Sequence, residues 1–461
     1  MADYRPDPKI LELGPDFYDA VQPANFPACM PRFVNERWAE RVGLRCNAEE
    51  WIRHFCRFES LANNLPEPLA LRYHGHQFRV YNPEIGDGRG FLFAQLRDER
   101  GRLLDLGTKG SGQTPYSRHA DGRLTLKGGV REVLATEMLE ALGVNTSKTF
   151  ALFETGEELQ RGDEPSPTRS AVLTRLSHGH IRIGTFQRLA FFQQADNIRK
   201  LVRYCLEHLY SEGPVDDDQA NALRLFDLVS EATARLAASY LASGFVHGVL
   251  NSDNIAITGE SFDYGPWRFT PEWEPEFTAA YFDHYGLYAF GRQPEAIHWD
   301  LAQLAGSLTL VTEAPPLSSA LGEWSGRFED GFIDALLWRL GVEKRDRESD
   351  RKLTGALIRA LSAREQQIDR IFFDWRGGHD PGAERYPSEA FRELAQGLDG
   401  REGPRAHAYW NDAAPCSMHI EEVEAIWSAI AERDDWQPFE DKVRAIRRMG
   451  EAMRSDAPEG K

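Results

Sequence analysis

Residues 247–254 read His-Gly-Val-Leu-Asn-Ser-Asp-Asn, which sets a carboxylate, Asp253, beside an amide, Asn254; a second carboxylate follows in Asp263-Tyr264-Gly265. Amide and carboxylate oxygens are hard ligands suited to Mg²⁺ or Mn²⁺ held between phosphates. Asn and Asp are also ordinary turn residues, so either one alone says little. Taken together, with residues 255–258 (Ile-Ala-Ile-Thr) reading as a strand between them, they predict a metal-assisted nucleotide site on a helix, a loop and a short hairpin.

Cations stand upstream in the chain. Lys109 closes the strand-like Leu106-Gly107-Thr108, and Glu132, on the next helix, is placed to hold it. Gly86-Asp87-Gly88-Arg89-Gly90 precedes a strand, where glycines let backbone N–H groups approach a phosphate and Arg89 adds charge. The segment 114–123 (Thr-Pro-Tyr-Ser-Arg-His-Ala-Asp-Gly-Arg) and the later Arg175 and Arg182 add further guanidinium groups, which grip phosphates in bidentate fashion; surface ion pairs are the alternative for each. No Walker A loop and no Gly-x-Gly-x-x-Gly occurs. His74-Gly75-His76 and His178-Gly179-His180 lack a third ligand at sensible spacing and are read as hydrogen-bonding histidines.

The elements that must position these groups follow from periodicity. Residues 47–63 approximate one apolar helical face, and residues 90–96 and 102–108 form a hairpin. Residues 128–143, following Lys127, form a helix that stops at Gly143. Strands are expected near residues 147–154 and 169–176, and residues 221–243 repeat apolar side chains at helical spacing. The fold class is therefore α+β. An N-terminal extension (1–70) precedes a β-rich nucleotide-binding lobe with one embedded helix (71–186), and a mainly helical lobe carries the catalytic loop and the C-terminal helices (187–461).

Composition narrows the function. The 461 residues are 41% hydrophobic, with 26 Phe, 14 Tyr and 11 Trp, which suits a large globular core. A formal net charge of −18 argues against a nucleic-acid binder, so an anionic ligand must meet a local basic pocket. The five cysteines are scattered without a Cys-x-x-Cys pair, which suggests no disulfide framework, no zinc ribbon and a reducing compartment. The charged start MADYRPDPKI and the lack of any run near about eighteen apolar residues predict a cytoplasmic protein that engages no membrane. A monomer is expected.

The loop at 247–254 keeps the His, Leu and Asn offsets of the protein-kinase pattern His-Arg-Asp-Leu-x-x-x-Asn, but Gly248 and Val249 stand at the Arg and Asp offsets. Val249 cannot accept a proton. Asp263-Tyr264-Gly265 parallels the kinase Asp-Phe-Gly, and Lys109 with Glu132 parallels the strand lysine and helix glutamate. The chain further resembles the selenoprotein O family of pseudokinase-like protein adenylyltransferases. The matching segments are Gly75-His76-Gln77-Phe78, Gly86-Asp87-Gly88-Arg89, Lys109-Gly110-Ser111-Gly112, Thr114-Pro115-Tyr116-Ser117-Arg118, Asp121-Gly122-Arg123, His180-Ile181-Arg182, and residues 248–254 with Asp263-Tyr264-Gly265-Pro266. They run in order over residues 70–290.

That resemblance implies a kinase fold that binds ATP in a flipped orientation and transfers AMP to protein Ser, Thr or Tyr hydroxyls. It implies that Lys109, Arg175 and Arg182 hold phosphates and that Gly86, Gly88, Arg89, Asp121 and Gly122 line the nucleotide site. Glu132 would orient Lys109, Asn254 and Asp263 would bind Mg²⁺ (or Mn²⁺), and Asp253 would accept the proton. The residues add one point of their own: the carboxylate missing at 249 reappears at 253. The chain departs from the family at Arg79, Tyr81, Asn82 and Ser252, in a C-terminal third that matches poorly, and in a tail, Ser-Asp-Ala-Pro-Glu-Gly-Lys, with no terminal cysteine or selenocysteine motif. Conventional phosphotransfer is the alternative that Val249 disfavours. A nucleotide-binding pseudokinase scaffold is a second, disfavoured by the joint retention of Asp253, Asn254 and Asp263.

Overall fold

The computed structural model describes residues 3–162 and 164–457; the first two and last four residues, on which the readings of the two termini partly fall, lie outside the described residues. The β-rich part contains strands Tyr18–Ala20 (β1), Met30–Val34 (β2), Leu69–Leu71 (β3), Gly75–Gln77 (β4), Val80–Asn82 (β5), Leu92–Arg97 (β6), Leu103–Lys109 (β7), Leu124–Thr125 (β8), Lys148–Leu159 (β9) and Thr168–Ser177 (β10). One antiparallel sheet runs β1-β3-β6-β7-β10-β9-β2, with β8 paired to β10, while β4 and β5 form a separate hairpin. The expected hairpin at 90–108 is β6–β7, turning at Gly101 with φ 78°. The fold class expected from sequence, α+β, agrees with this mixture of helices and antiparallel strands.

Both faces of the sheet are buried because successive side chains point to opposite sides. On β9, Leu152 joins the core beneath the embedded helix while Ala151 and Phe153 join a second core; on β10, Leu173 and Val172 divide in the same way. The second core is closed by Trp38 of helix α1 (Glu36–Arg41) and by Trp51 and Phe55 of α2 (Ala48–Phe55). Residues before 70 thus supply two sheet edges and the cover of one face. The helix expected over 47–63 is only α2: Asn47 starts it with a capping box, and Phe58, at φ 57°, has left helical geometry.

Two of the cysteines correct the sequence reading. Cys29 and Cys56 form a disulfide that ties the segment before β2 to the end of α2. Their sequence separation of 27 follows no recognisable spacing, and the packing of α2 on the sheet, with Trp51 and Phe55 against Phe150 of β9, brings them together.

The embedded helix, α3 (Leu126–Ala141), begins where the Thr125 hydroxyl accepts the Gly128 N–H, and the chain leaves it through Gly143 at φ 78°. A Cβ on Gly129 would stand 2.5 Å from Leu152 Cδ1, so glycine there lets the first turns of α3 lie directly on β9. The helical part follows with α4 (Ile183–Phe191), α5 (Ala195–Tyr204) and α6 (Asp218–Ser243), the last capped by Asp217 and stopped by left-handed Gly244. Strands β11 (Phe245–Val246) and β12 (Arg268–Phe269) pair at the foot of the candidate catalytic loop. The strand expected at 255–258 is reduced to one bridge, Arg182 with Ala256, and two flanking hydrogen bonds, Ile183 N–H to Ile255 and Ile257 N–H to Ile181. Its partner segment enters α4 at once and leaves nothing further to pair with.

Helices α7 (Gln293–Leu308), α8 (Ala314–Gly322), α9 (Trp324–Leu340), α10 (Arg347–Ser362), α11 (Ile368–Asp374), α12 (Glu389–Leu398), α13 (Ile420–Arg433) and α14 (Gln437–Ser455) complete the chain. α14 returns to α3, where Arg447 forks onto Glu137 with two bonds of 2.8 Å. No described helix is long and apolar enough to cross a membrane.

Candidate nucleotide site

Between the sheet and the loop after α6 lies a cavity of about 330 Å³. Eight of the residues singled out from sequence line it: Gly86, Gly88, Arg89, Lys109, Arg175, Arg182, Asp253 and Asp263. Lys109 reaches it because β7 ends there, and its ammonium pairs with Glu132, which the close approach of α3 brings across. The same ammonium lies 2.6 Å from an Asp263 carboxylate oxygen. Burial works against the Asp263 carboxylate, but Lys109, Arg175 and Arg89 prevail and hold it well below the usual carboxylate range. Asp263 also sits at φ 62°, a conformation costly for a residue with a side chain.

The two arginines rest on aromatic rings. The Arg182 guanidinium lies 4.1 Å from the centre of Tyr73 and 4.9 Å from that of Phe262, and Arg175 lies 5.1 Å from Phe262. Arg175 Nε donates to His180 Nε2 at 3.2 Å, and His180 Nδ1 donates to Asp105 at 3.1 Å, which fixes the imidazole as a neutral spacer. Burial lowers the His180 pKa in keeping with that state. Arg175 Nη1 and Arg182 Nε are buried without a hydrogen-bond partner. Buried guanidinium donors left open in this way suit an anionic ligand.

Asp253 is the opposite kind of group. It is 8% exposed, its Oδ1 has no hydrogen-bond partner, and burial pushes its pKa up to about 7 against the pull of Arg182. Next to it, Asn254 stands just outside the cavity lining and donates from Nδ2 to the Val249 carbonyl at 2.9 Å, which leaves its amide oxygen to serve as a ligand. Among the described residues no three His, Cys, Asp or Glu side chains cluster as a ready-made metal cage. An Asn oxygen and an Asp carboxylate suit a Mg²⁺ ion that takes its remaining ligands from phosphates and water.

The glycine-rich loop takes its shape from packing. A Cβ on Gly86 would come within 2.5 Å of the Tyr116 ring, and one on Gly90 within 2.1 Å of the Thr108 carbonyl. The 114–118 segment lies across the loop, with Ser117 Oγ donating to the Gly88 carbonyl. Asp121 and Gly122 stand on the rim, outside the lining. Asp121 is paired with Arg161 at 2.8 Å, and Gly122, at φ 69°, turns the chain so that its carbonyl accepts the Gly112 N–H. Three of the four histidines in these pairs make side-chain hydrogen bonds, His74 to Tyr81, His76 to Gln187 and His180 to Asp105, whereas His178 Nε2 is buried without a partner.

Sequence reasoning missed Tyr73 and Phe262, and it gave no separate role to Asp87 and Tyr116 within the segments it singled out. Asp87 accepts the Leu71 N–H and stands 3.4 Å from Arg182. Asp87 and Phe262 could have been noticed from their places beside Gly88 and Asp263; nothing local marks Tyr73.

Comparison with known proteins shows the family. A family model described as "Protein adenylyltransferase SelO" matches residues 2–417. The protein nucleotidyltransferase YdiU of Gloeobacter violaceus is 42% identical over 96% of this chain and 95% of its own length. That of Synechocystis is 41% identical over 95% and 97%, and that of Pseudomonas putida GB-1 is 36% identical over 69% and 64%. The alignments over 95–96% of the chain extend into its C-terminal third, whereas the family model ends at residue 417. The chain belongs to the SelO family of protein nucleotidyltransferases.

Proposed function

We infer that the chain uses a protein-kinase-like arrangement, a β-rich lobe (71–186) over a helical lobe (187–461), to transfer AMP from ATP to Ser, Thr or Tyr hydroxyls of proteins. The observation that carries this reading is the carboxylate exchange in the catalytic loop. The kinase base position is Val249, and Asp253 offers a buried carboxylate, its Oδ1 without a hydrogen-bond partner, at the cavity instead.

In this reading Asp253 takes the proton from the acceptor hydroxyl as its oxygen bonds to the α-phosphorus. The bond from that phosphorus to the bridging oxygen breaks, and pyrophosphate leaves. A pKa of about 7 leaves Asp253 ionised often enough to accept a proton and basic enough to be an effective acceptor. Lys109, Arg89, Arg175 and Arg182 hold the phosphates, and the rings of Tyr73 and Phe262 keep the two buried guanidinium groups in place before ligand arrives. Glu132 orients Lys109, while Gly86, Gly88, Asp121 and Gly122 shape the walls and rim. Asn254 and Asp263 would hold Mg²⁺ or Mn²⁺, which neutralises charge on the departing pyrophosphate.

The released product tests this. Incubation with ATP, a divalent metal and a protein acceptor should yield pyrophosphate in step with modified protein, and Asp263→Ala should abolish both metal binding and transfer. ADP as the sole product would favour phosphotransfer, and an Asp263→Ala variant with full function would favour a scaffold.

A further inference from the structure

The β4–β5 hairpin lies outside the main sheet and is hydrogen-bonded to the catalytic turn. The His76 backbone N–H donates to Ser252 Oγ at 2.7 Å, Ser252 Oγ–H donates to Gln187 Oε1 at 2.6 Å, and Gln187 Nε2–H donates to His76 Nδ1 at 2.6 Å. Three residues from three elements thus close a ring in which each group's donor meets the next group's acceptor. The ring is shielded: Ser252 is fully buried and Gln187 is 5% exposed. On either side of it the Phe78 N–H donates to Asn251 Oδ1 at 3.0 Å, and the Tyr81 hydroxyl donates to the Gln187 carbonyl at 3.3 Å.

Asp253 follows Ser252 directly, and its Oδ1 has no hydrogen bond of its own to fix it. Its position is set by the backbone of the turn and by contact. A Cβ on Gly75 would stand 2.9 Å from Asp253 Cβ and 3.0 Å from Oδ1, so the hairpin backbone already lies against the carboxylate.

We propose that Ser252, Gln187 and His76 are positioning residues for the transfer reaction: their hydrogen-bonded ring clamps the β4–β5 hairpin and α4 onto the catalytic turn and fixes the Asp253 carboxylate. The proposal rests on Asp253 acting as the base. None of the three lines the nucleotide cavity, so their loss slows the chemical step and spares ATP binding. A base displaced by about 1 Å costs on the order of 100-fold in rate.

The test is the split between kcat and KM in the full-length protein, measured as AMP incorporated from α-labelled ATP. Ser252→Ala should lower kcat by about 30-fold or more and leave KM for ATP within about twofold. Ser252→Thr, which keeps the hydroxyl, should restore most of the rate. Gln187→Met should behave like Ser252→Ala. Gly75→Ala, which leaves the ring intact and crowds the carboxylate, should also lower kcat and spare KM, and it gives an answer even if Ser252→Ala does not fold. Wild-type kcat in folded Ser252→Ala or in Gly75→Ala, or a Ser252→Thr variant as slow as Ser252→Ala, overturns the proposal. A wild-type protein that incorporates no AMP overturns the proposed function itself, whereas wild-type transfer with an unaffected Ser252→Ala overturns only the positioning role.

Discussion

Two carboxylates ten residues apart in the chain are driven to opposite states by what surrounds them. Asp263 faces Lys109, Arg175 and Arg89 and stays ionised; Asp253 is buried without a hydrogen bond to Oδ1 and titrates near 7. Two consequences follow for Asp253. Transfer should rise with pH through about 7 as the base ionises, and Asp253→Asn should lose about 100-fold or more of kcat. Stability moves the other way. The folded pKa lies above the ordinary carboxylate value, so the ionised group is a burden that is full above about 7 and disappears as pH falls toward 4. Nucleotide-free Asp253→Asn should therefore melt above wild type at pH 8, with the gap closing by pH 4; equal melting at both pH values would contradict the burial. At this scale much of the site was legible, because Lys109, Glu132, Asp253 and Asp263 fall in short ordered motifs. The rings under the arginines were not: Tyr73 and Arg182 meet only through the fold.

Among the elements, α3 does the most to assemble the cavity, because it carries Glu132 to Lys109 and can do so only by lying close on β9. Gly129→Val should lift its first turns off Leu152, loosen that ion pair and raise KM for ATP several-fold with a smaller effect on kcat, as steady-state kinetics would show. At the far end of α3, Arg447 of α14 satisfies the buried Glu137. Arg447→Met should cost about 2 kcal/mol in urea unfolding, less than an isolated buried pair, because Asn35 and Arg37 remain near the carboxylate. Helix α3, β6, β7, β9 and β10 were readable from periodicity and glycine stops. The shortened α2 and the missing strand at 255–258 were not, because Phe58 leaves the helix in a left-handed conformation and the partner of Ile255 and Ile257 turns straight into α4.

Across the whole molecule, the first 70 residues and the last helix embrace the β-rich part. β1 and β2 form the two outer edges of the sheet, and α14 buries Ile446, Met449 and Met453 against the core that contains α3. Composition showed that a large core must exist but not that the ends of the chain would build it, since such contacts join residues too far apart for any local pattern to record. The same distance hid the Cys29–Cys56 disulfide. A chain cut before α14 should consequently melt well below the full-length protein, and an unchanged melting temperature would contradict the packing. The central claim is the reaction that this assembly performs, and it is tested most directly by incubating the protein with a protein acceptor and ATP labelled at either the α or the γ phosphate. The account predicts stable label on protein from α-labelled ATP alone, lost in Asp253→Asn; label from γ-labelled ATP alone would contradict it.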